Sequence, residues 1–193
     1  MAEPMPWLLV GLGNPGARYA RTRHNVGFMA IDAWCDELSP RPSFGEKFKA
    51  QVASASVPAV GRVIVLKPQT FMNCSGQSVA PAAQFHRVPA GQILVVHDEI
   101  DFNLGRLAVK KGGGHGGHNG LRDIVQLLGS GDFLRVRLGV GRPLRGDVAD
   151  YVLSVFGPDE RPTVDDMLAR AVRAISCVMT EGVVTAMNKF NTT

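Results

Sequence analysis

The stretch WLLVGLGNPG, residues 7–16, combines a compact apolar run with a turn, and it sets the pattern of the chain. An apolar run that ends at Asn14-Pro15-Gly16 is typical of a buried strand that feeds a turn. A polar, basic stretch follows, and then apolar side chains recur at helical spacing at Val26, Met29, Ala30, Ala33 and Trp34. We expect Asn25 to cap this helix.

The alternation of strand and helix continues to the C-terminus. Further strands are predicted at 51–57, 62–66, 93–96 and 107–110, and the alternating segment 133–140 has the period of a half-buried strand. Helices are predicted after KPQTFMNCSG, with Pro81 in the first turn, and after GGGHGGHNG. A long amphipathic helix from Asp159 ends near Gly182, and a short tail helix follows. This order predicts an α/β protein.

Size, composition and cysteine usage predict one cytoplasmic domain. At 193 residues the chain suits a single domain, residues 1–193, that can bury a core. No apolar run approaches the roughly 20 residues that span a bilayer, and the early run 7–12 lacks the charged flank of a secretory signal. Three widely spaced cysteines, Cys35, Cys74 and Cys177, are expected to be free thiols that pack in the interior.

The charge is unevenly placed along the chain. The net charge is +4, yet the segment from Gly105 to Arg145 carries eight Lys or Arg against two Asp. A localised basic surface is typical of a protein that binds a polyanion. A basic face that only confers solubility is the alternative interpretation.

Two glycine-rich segments resemble nucleotide-binding loops but lack the context that such loops need. Residues 11–16 match GxGxxG, yet a turn follows where a dinucleotide site needs a helix to begin at once. Residues 112–120 contain six glycines in nine positions, without the GK[ST] of a P-loop. We interpret the second segment as a loop whose backbone can approach a ligand closely.

Metal-dependent and nucleophilic chemistry are both weakly indicated. The ligand-type side chains have no spacing of a known zinc motif, so no metal site is predicted; these side chains are His97, Asp98, Asp101, His115 and His118. Ser75 lies in NCSGQ rather than in the GxSxG of a nucleophile elbow. Cys74 lacks the sequence context of a thiol hydrolase, and core packing is the better interpretation.

General-base hydrolysis fits the remaining polar residues best. His24 lies in a polar turn between strand and helix, where it can titrate near neutrality. Asp98 ends a strand and can orient an imidazole, although a capping or salt-bridging acid is the alternative. Asn14, Asn73 and Asn119 lie in glycine-bearing turns and can polarise a carbonyl, although each alone is typical of a turn former.

Several segments taken together resemble the bacterial peptidyl-tRNA hydrolase family. They are GLGNPG (11–16), YARTRHNVGF (19–28), KPQTFMNCSG (67–76), HDEID (97–101), KGGGHGGHNGLRDI (111–124), RVRLGVGRP (135–143) and DVADYVL (147–153). The glycine–histidine–asparagine segment is the specific one, and the resemblance covers nearly the whole chain. It implies a single α/β globule with a twisted mixed sheet flanked by helices, a long C-terminal helix, and no cofactor or metal.

The resemblance also implies the reaction and the roles of the site residues. The family hydrolyses the ester between a peptide and the terminal ribose of tRNA, which recycles tRNA from stalled translation. His24 would be the general base and Asp98 would hold its imidazole. Asn14 and Asn73 would bind the carbonyl, and Asn119 would position water or the peptide backbone.

Further positions would form the substrate groove and the RNA face. Tyr19, Phe71 and Met72 match groove walls, and Lys110 and Arg137 match positions that contact tRNA phosphates. Ala108 stands where some relatives carry a second basic residue, and this leaves open whether Arg106, Lys111 or Arg142 substitutes for it. The expected partner is peptidyl-tRNA, with no membrane and a monomeric state. A non-catalytic RNA-binding protein on the same scaffold is the alternative.

Overall fold

The structure is a computed structural model, and it describes residues 5–191. Seven strands in this range form one mixed sheet with the order β2-β3-β4-β1-β5-β7-β6. Neighbours among β4, β1, β5 and β7 run parallel, whereas β2, β3 and β6 pair antiparallel with their neighbours. The strands are β1 Trp7–Gly11, β2 Gly45–Lys47, β3 Ala50–Val57, β4 Gly61–Pro68, β5 Ile93–Glu99, β6 Leu107–Lys111 and β7 Leu134–Gly139.

Helices cover both faces of the sheet. Residues alternate along β1, so Leu9 packs in one apolar cluster with α1 and α5, and Leu8 and Val10 pack in another with α2 and α3. The helices in the described range are α1 Val26–Asp36, α2 Gly76–His86, α3 Asn119–Leu128, α4 Val148–Val152, α5 Arg161–Glu181 and α6 Val183–Phe190. The predicted α/β class, the flanked mixed sheet and the long C-terminal helix are confirmed. No helix in the described range has the length and apolarity to cross a membrane.

Glycines allow α1 to lie directly on the centre of the sheet. A Cβ added to Gly27 would lie 2.4 Å from the carbonyl oxygen of Val96, and one added to Gly11 would lie 2.6 Å from the carbonyl oxygen of Gly27. Gly11, the first glycine of the segment that resembles a dinucleotide loop, therefore serves helix-to-strand packing. The turn before α1 carries His24, whose side chain contacts Asp98 in β5.

Three local predictions are wrong. Pro81 lies in the middle of α2, which begins five residues earlier at Gly76. Asn25 occupies the N-cap position of α1 but makes no capping hydrogen bond, because its amide pairs with the backbone of Asn14. The strand β7 is not half-buried, since five of its six residues are buried and its Arg135 is only 2% exposed. The sequence pattern also gave no indication of β2 and α4.

Candidate active site

A cavity of about 760 Å³ opens where β1 and β5 end at the carboxyl edge of the parallel strands. After β1 the chain continues to the strands on one side of it, β2 to β4, whereas after β5 it continues to β6 and β7 on the other side. The gap between β1 and β5 is therefore the topological switch point, where open α/β sheets place ligands. Of the ten site residues predicted from the sequence, eight line this cavity: Asn14, Tyr19, His24, Phe71, Met72, Asn73, Asp98 and Asn119. Lys110 and Arg137 lie outside it, on β6 and β7.

His24 and Asp98 are in direct contact. Nδ1 of His24 lies 2.9 Å from each carboxylate oxygen of Asp98. The Asp98 side chain is 2% exposed and the His24 side chain is 14% exposed. A buried carboxylate holds the proton on Nδ1, so Nε2 is left unprotonated in the neutral imidazole.

His118 is a second histidine on the same carboxylate. Its Nε2 lies 2.9 Å from Oδ1 of Asp98, and its Nδ1 accepts hydrogen bonds from the backbone N–H groups of Gly120 and Leu121 at the start of α3. An imidazole whose Nδ1 accepts must carry its proton on Nε2, so His118 donates to Asp98. This role of His118 was not predicted from the sequence, although the HGGHN segment contains the residue.

The same buried carboxylate governs the pKa values of the site. Burial lowers the pKa of His24, but the charge of Asp98 and its hydrogen bond outweigh burial, and the net pKa lies above 6.5. Burial raises the pKa of Asp98, yet the two histidines more than offset this and hold it well below its usual range. Burial, with His118 nearby, lowers the pKa of His97 to about 3, so His97 is neutral.

Asn14 is held from three directions. Its backbone N–H donates to Oδ1 of Asn25, and its carbonyl accepts from Nδ2 of Asn25, each at 2.9 Å. Its side-chain Oδ1 accepts from the backbone N–H of Met72 at 2.7 Å. Since the oxygen is engaged, the NH₂ group of Asn14 is the part of the amide that remains for a ligand in the cavity. Asn73 and Asn119 are exposed at the cavity wall.

The donor atoms around Asp98 are poorly suited to a metal ion. His24, Asp98 and His118 bring their ligand-type atoms within 4.8 Å of one another. Nε2 of His118 must keep its proton while Nδ1 accepts two backbone N–H groups, however, and a protonated nitrogen is not a ligand. The cluster fits a hydrogen-bonded histidine–carboxylate–histidine chain better.

The usual side-chain nucleophiles of hydrolases are absent from the cavity lining within the described residues. Within residues 5–191, the side chains that line the cavity include no serine, threonine, cysteine or lysine. Ser75 is fully buried, and its hydroxyl donates to the carbonyl oxygen of Met72 at 2.8 Å. The site therefore suits the activation of water by a histidine base.

Arg23 connects the turn that contains His24, residues 23–25, to the cavity wall formed by α4. Its guanidinium donates to both carboxylate oxygens of Glu160, at 2.9 and 2.7 Å, and to the hydroxyl of Ser154 at 3.2 Å. It also stacks on the ring of Tyr151 in α4, a helix that lines the cavity. Arg23 precedes His24 in the chain, so these contacts hold the segment that carries His24 close to that wall.

The predicted RNA-binding residues share one face of the sheet. The β6–β7 register places Lys110 opposite Arg135 and Ala108 opposite Arg137. Arg135, buried beside the lysine, donates to the carbonyl oxygens of Gly113 and Gly114 at 2.6 and 2.7 Å and so anchors the glycine loop.

The three candidates for the missing basic residue differ in their surroundings. Arg106 and Arg137 both lie over the Phe102 ring, 4.2 and 4.4 Å from its centroid. Arg142 lines the cavity and pairs with Asp101, whereas Lys111 alternates to the other face of β6. Arg106 is therefore the candidate that stands beside Arg137.

Fold and site together define an α/β enzyme in which a buried carboxylate holds a histidine at the switch point of the sheet. The family model described as Peptidyl-tRNA hydrolase matches residues 8–193. The chain belongs to this family.

Individual relatives agree with the family model. A peptidyl-tRNA hydrolase of Sorangium cellulosum is 53% identical over 96% of this chain and 83% of the relative. One of Geotalea uraniireducens is 47% identical over 95% of both chains. The crystal structure of peptidyl-tRNA hydrolase from Acinetobacter baumannii superposes with a TM-score of 0.89 at 38% identity, over 98% of this chain and 97% of the other.

Proposed function

We propose that this chain hydrolyses the ester between a peptide and the terminal ribose of tRNA, with His24 as the general base. The observation that carries the proposal is the contact of His24 Nδ1 with the buried Asp98 at 2.9 Å. This contact leaves Nε2 basic. Family membership supports the substrate, and the basic face on β6 and β7 supports an RNA partner.

In the proposed reaction His24 Nε2 takes a proton from water as the water oxygen attacks the ester carbonyl. The carbonyl oxygen becomes negatively charged, and it accepts hydrogen bonds from the NH₂ group of Asn14 and from Asn73. The intermediate then collapses, and the ribose oxygen leaves with the proton that Nε2 returns. The products are a peptide with a free carboxylate and a tRNA with a free hydroxyl. A positioned base contributes about 10²–10⁴ to such a rate.

Asp98 and His118 support the proposed base on the side of its Nδ1 atom. Asp98 fixes the tautomer of His24 and stabilises the imidazolium that forms during attack. His118 donates a hydrogen bond to the same carboxylate and so limits its rotation. We propose that Asn119, the residue after His118, positions the water or the first peptide bond. Tyr19, Phe71 and Met72 form the walls for the peptide and the terminal nucleotide.

The RNA side of the proposal is carried by Lys110 and Arg137, with Arg106 beside the arginine. Contacts from these cations to phosphates would orient the acceptor end toward the cavity. We propose that the protein acts as a monomer. We also propose that residues 1–193 form one domain and that the protein acts in the cytoplasm.

The test compares peptidyl-tRNA with aminoacyl-tRNA that bears the same amino acid, in the presence of EDTA. We expect release of free tRNA from peptidyl-tRNA only, because a free α-ammonium leaves the asparagine that pairs with the peptide bond unmatched. Binding without hydrolysis would favour a non-catalytic RNA-binding protein. Loss of activity in EDTA would favour a metal-dependent hydrolase.

A further inference from the structure

Glu99, the residue after Asp98, holds the arginine that we assign to a tRNA phosphate. Nε and Nη2 of Arg137 donate to Oε2 of Glu99 at 3.1 and 2.9 Å. The other carboxylate oxygen, Oε1, accepts from the backbone N–H of Asp101 at 3.1 Å. The carboxylate is therefore fixed by its own turn as well as by the arginine.

The pair lies between the cavity and the basic face. Glu99 lines the cavity, and its side chain is 15% exposed, while that of Arg137 is 25% exposed. Arginine also binds a phosphate in this way, with two nitrogens on one edge of the guanidinium donating to the anion. The carboxylate thus occupies one of the two donor edges of Arg137 that a phosphate can use.

We propose that Glu99 is an internal competitor for the phosphate site of Arg137 and sets how fast tRNA leaves the enzyme. The inference rests on the proposed function, because it assumes that Arg137 binds a tRNA phosphate. When a phosphate takes the guanidinium, the hydrogen bond from Asp101 keeps the carboxylate nearby. Two anions then face each other across one arginine, and this repulsion favours release of the tRNA product.

A neighbouring pair provides a matched control. Arg142 and Asp101 form an ion pair on the same turn, with side chains 54% and 59% exposed. Asp101→Asn removes one negative charge from the same region, as Glu99→Gln does. Water already screens the exposed pair, so its loss is expected to alter tRNA binding little. The comparison separates a specific effect at Arg137 from a general gain of positive charge.

The experiment measures binding and dissociation of uncharged tRNA for the wild type, Glu99→Gln, Asp101→Asn, Arg137→Ala and the double variant Glu99→Gln/Arg137→Ala. We expect Glu99→Gln to tighten binding about three- to tenfold, through slower dissociation, and Asp101→Asn to change it less than about twofold. The gain should vanish in the double variant, which should match Arg137→Ala. Thermal unfolding of each variant verifies that it is folded.

Two results would overturn the inference. They are unchanged or weaker binding by Glu99→Gln, and a gain that persists without Arg137. Weaker binding would mean that Glu99 only holds Arg137 in place. If Arg137→Ala itself left tRNA affinity unchanged, the assignment of the RNA face would fail instead, and this outcome is distinct from failure of the competitor role.

Discussion

His118 donates from Nε2 to Oδ1 of Asp98 over 2.9 Å, and this contact makes the second histidine of the site a structural partner of the first. The same ring caps α3, because its Nδ1 accepts from two backbone N–H groups. One side chain therefore joins the helix that begins at Asn119 to the carboxylate that orients His24. The two functions of His118 can be separated by substitution.

His118→Asn should keep the cap and lose the contact with Asp98, because asparagine is a good N-cap residue but is too short to reach the carboxylate. His118→Ala loses both. We expect both variants to lose hydrolysis to a similar degree, while the alanine variant is about 1 kcal/mol less stable than the asparagine variant in urea unfolding. Equal stability of the two variants would contradict the capping role, and full activity of His118→Asn would contradict the role at Asp98.

The pH dependence of kcat/KM should report the neutral form of His24. Activity is expected to rise with pH through a pKa above 6.5, since the base must be unprotonated and Asp98 stabilises its protonated form. In Asp98→Asn the burial remains and the charge is lost, so the acidic limb should move to lower pH while the plateau falls by about 10²–10⁴. The measurement is a rate profile on peptidyl-tRNA across neutral pH. An acidic limb that stays in place in the variant would exclude His24 as its source.

Arg23 should matter for both stability and turnover. Arg23→Met removes a largely buried cation, with a side chain 8% exposed, from Glu160, Ser154 and Tyr151. We expect a loss of about 2–4 kcal/mol in the free energy of unfolding and a lower kcat in the folded fraction. Arg41→Met is the matched control, because Arg41 and Asp36 form an exposed pair with side chains 59% and 60% exposed. That variant should change stability by less than about 1 kcal/mol and leave kcat unaltered.

Binding of tRNA should weaken steeply as salt rises, because phosphate contacts release counterions. Removing Lys110 should reduce the magnitude of the slope of log affinity against log salt by about one, the amount expected for one phosphate contact. Lys189→Ala is the control, since Lys189 pairs with Glu181 on the C-terminal helices. We expect its salt slope to match the wild type. Affinity that is insensitive to salt would show that the basic face is not the RNA-binding surface.

Much of the fold could be predicted from the sequence because the relevant signals are local. The apolar run before Asn14, the helical spacing after His24 and the long stripe after Asp159 each depend only on neighbouring residues. The predictions for the position of Pro81 in its helix and for the exposure of Arg135 are wrong for a different reason. Tertiary packing holds α2 through its proline, and the carbonyl groups of the glycine loop stabilise a buried arginine that looks like a surface residue in the sequence.

The candidate site likewise contains residues that could be predicted from the sequence and residues that could not. His24, Asp98 and the three asparagines could be selected because they lie in several separate turns and because these positions match the family's motifs. The contacts of Arg23, Asn25 and Glu99 could not be predicted, because each joins segments that are separated along the chain. Residue type gives no sign of such partners. The structure also distinguishes Asn14, whose oxygen is engaged by Met72, from the exposed Asn73 and Asn119.

Single-turnover hydrolysis of peptidyl-tRNA by the wild type and by His24→Ala, with tRNA affinity measured in parallel, tests the central assignment most directly. Single-turnover conditions remove product release from the rate, so the chemical step is observed. We predict that His24→Ala loses at least about 10²-fold in rate, while its tRNA affinity stays within about twofold because the proposed phosphate contacts lie on β6 and β7. A rate near that of the wild type would contradict the assignment of His24 as the general base.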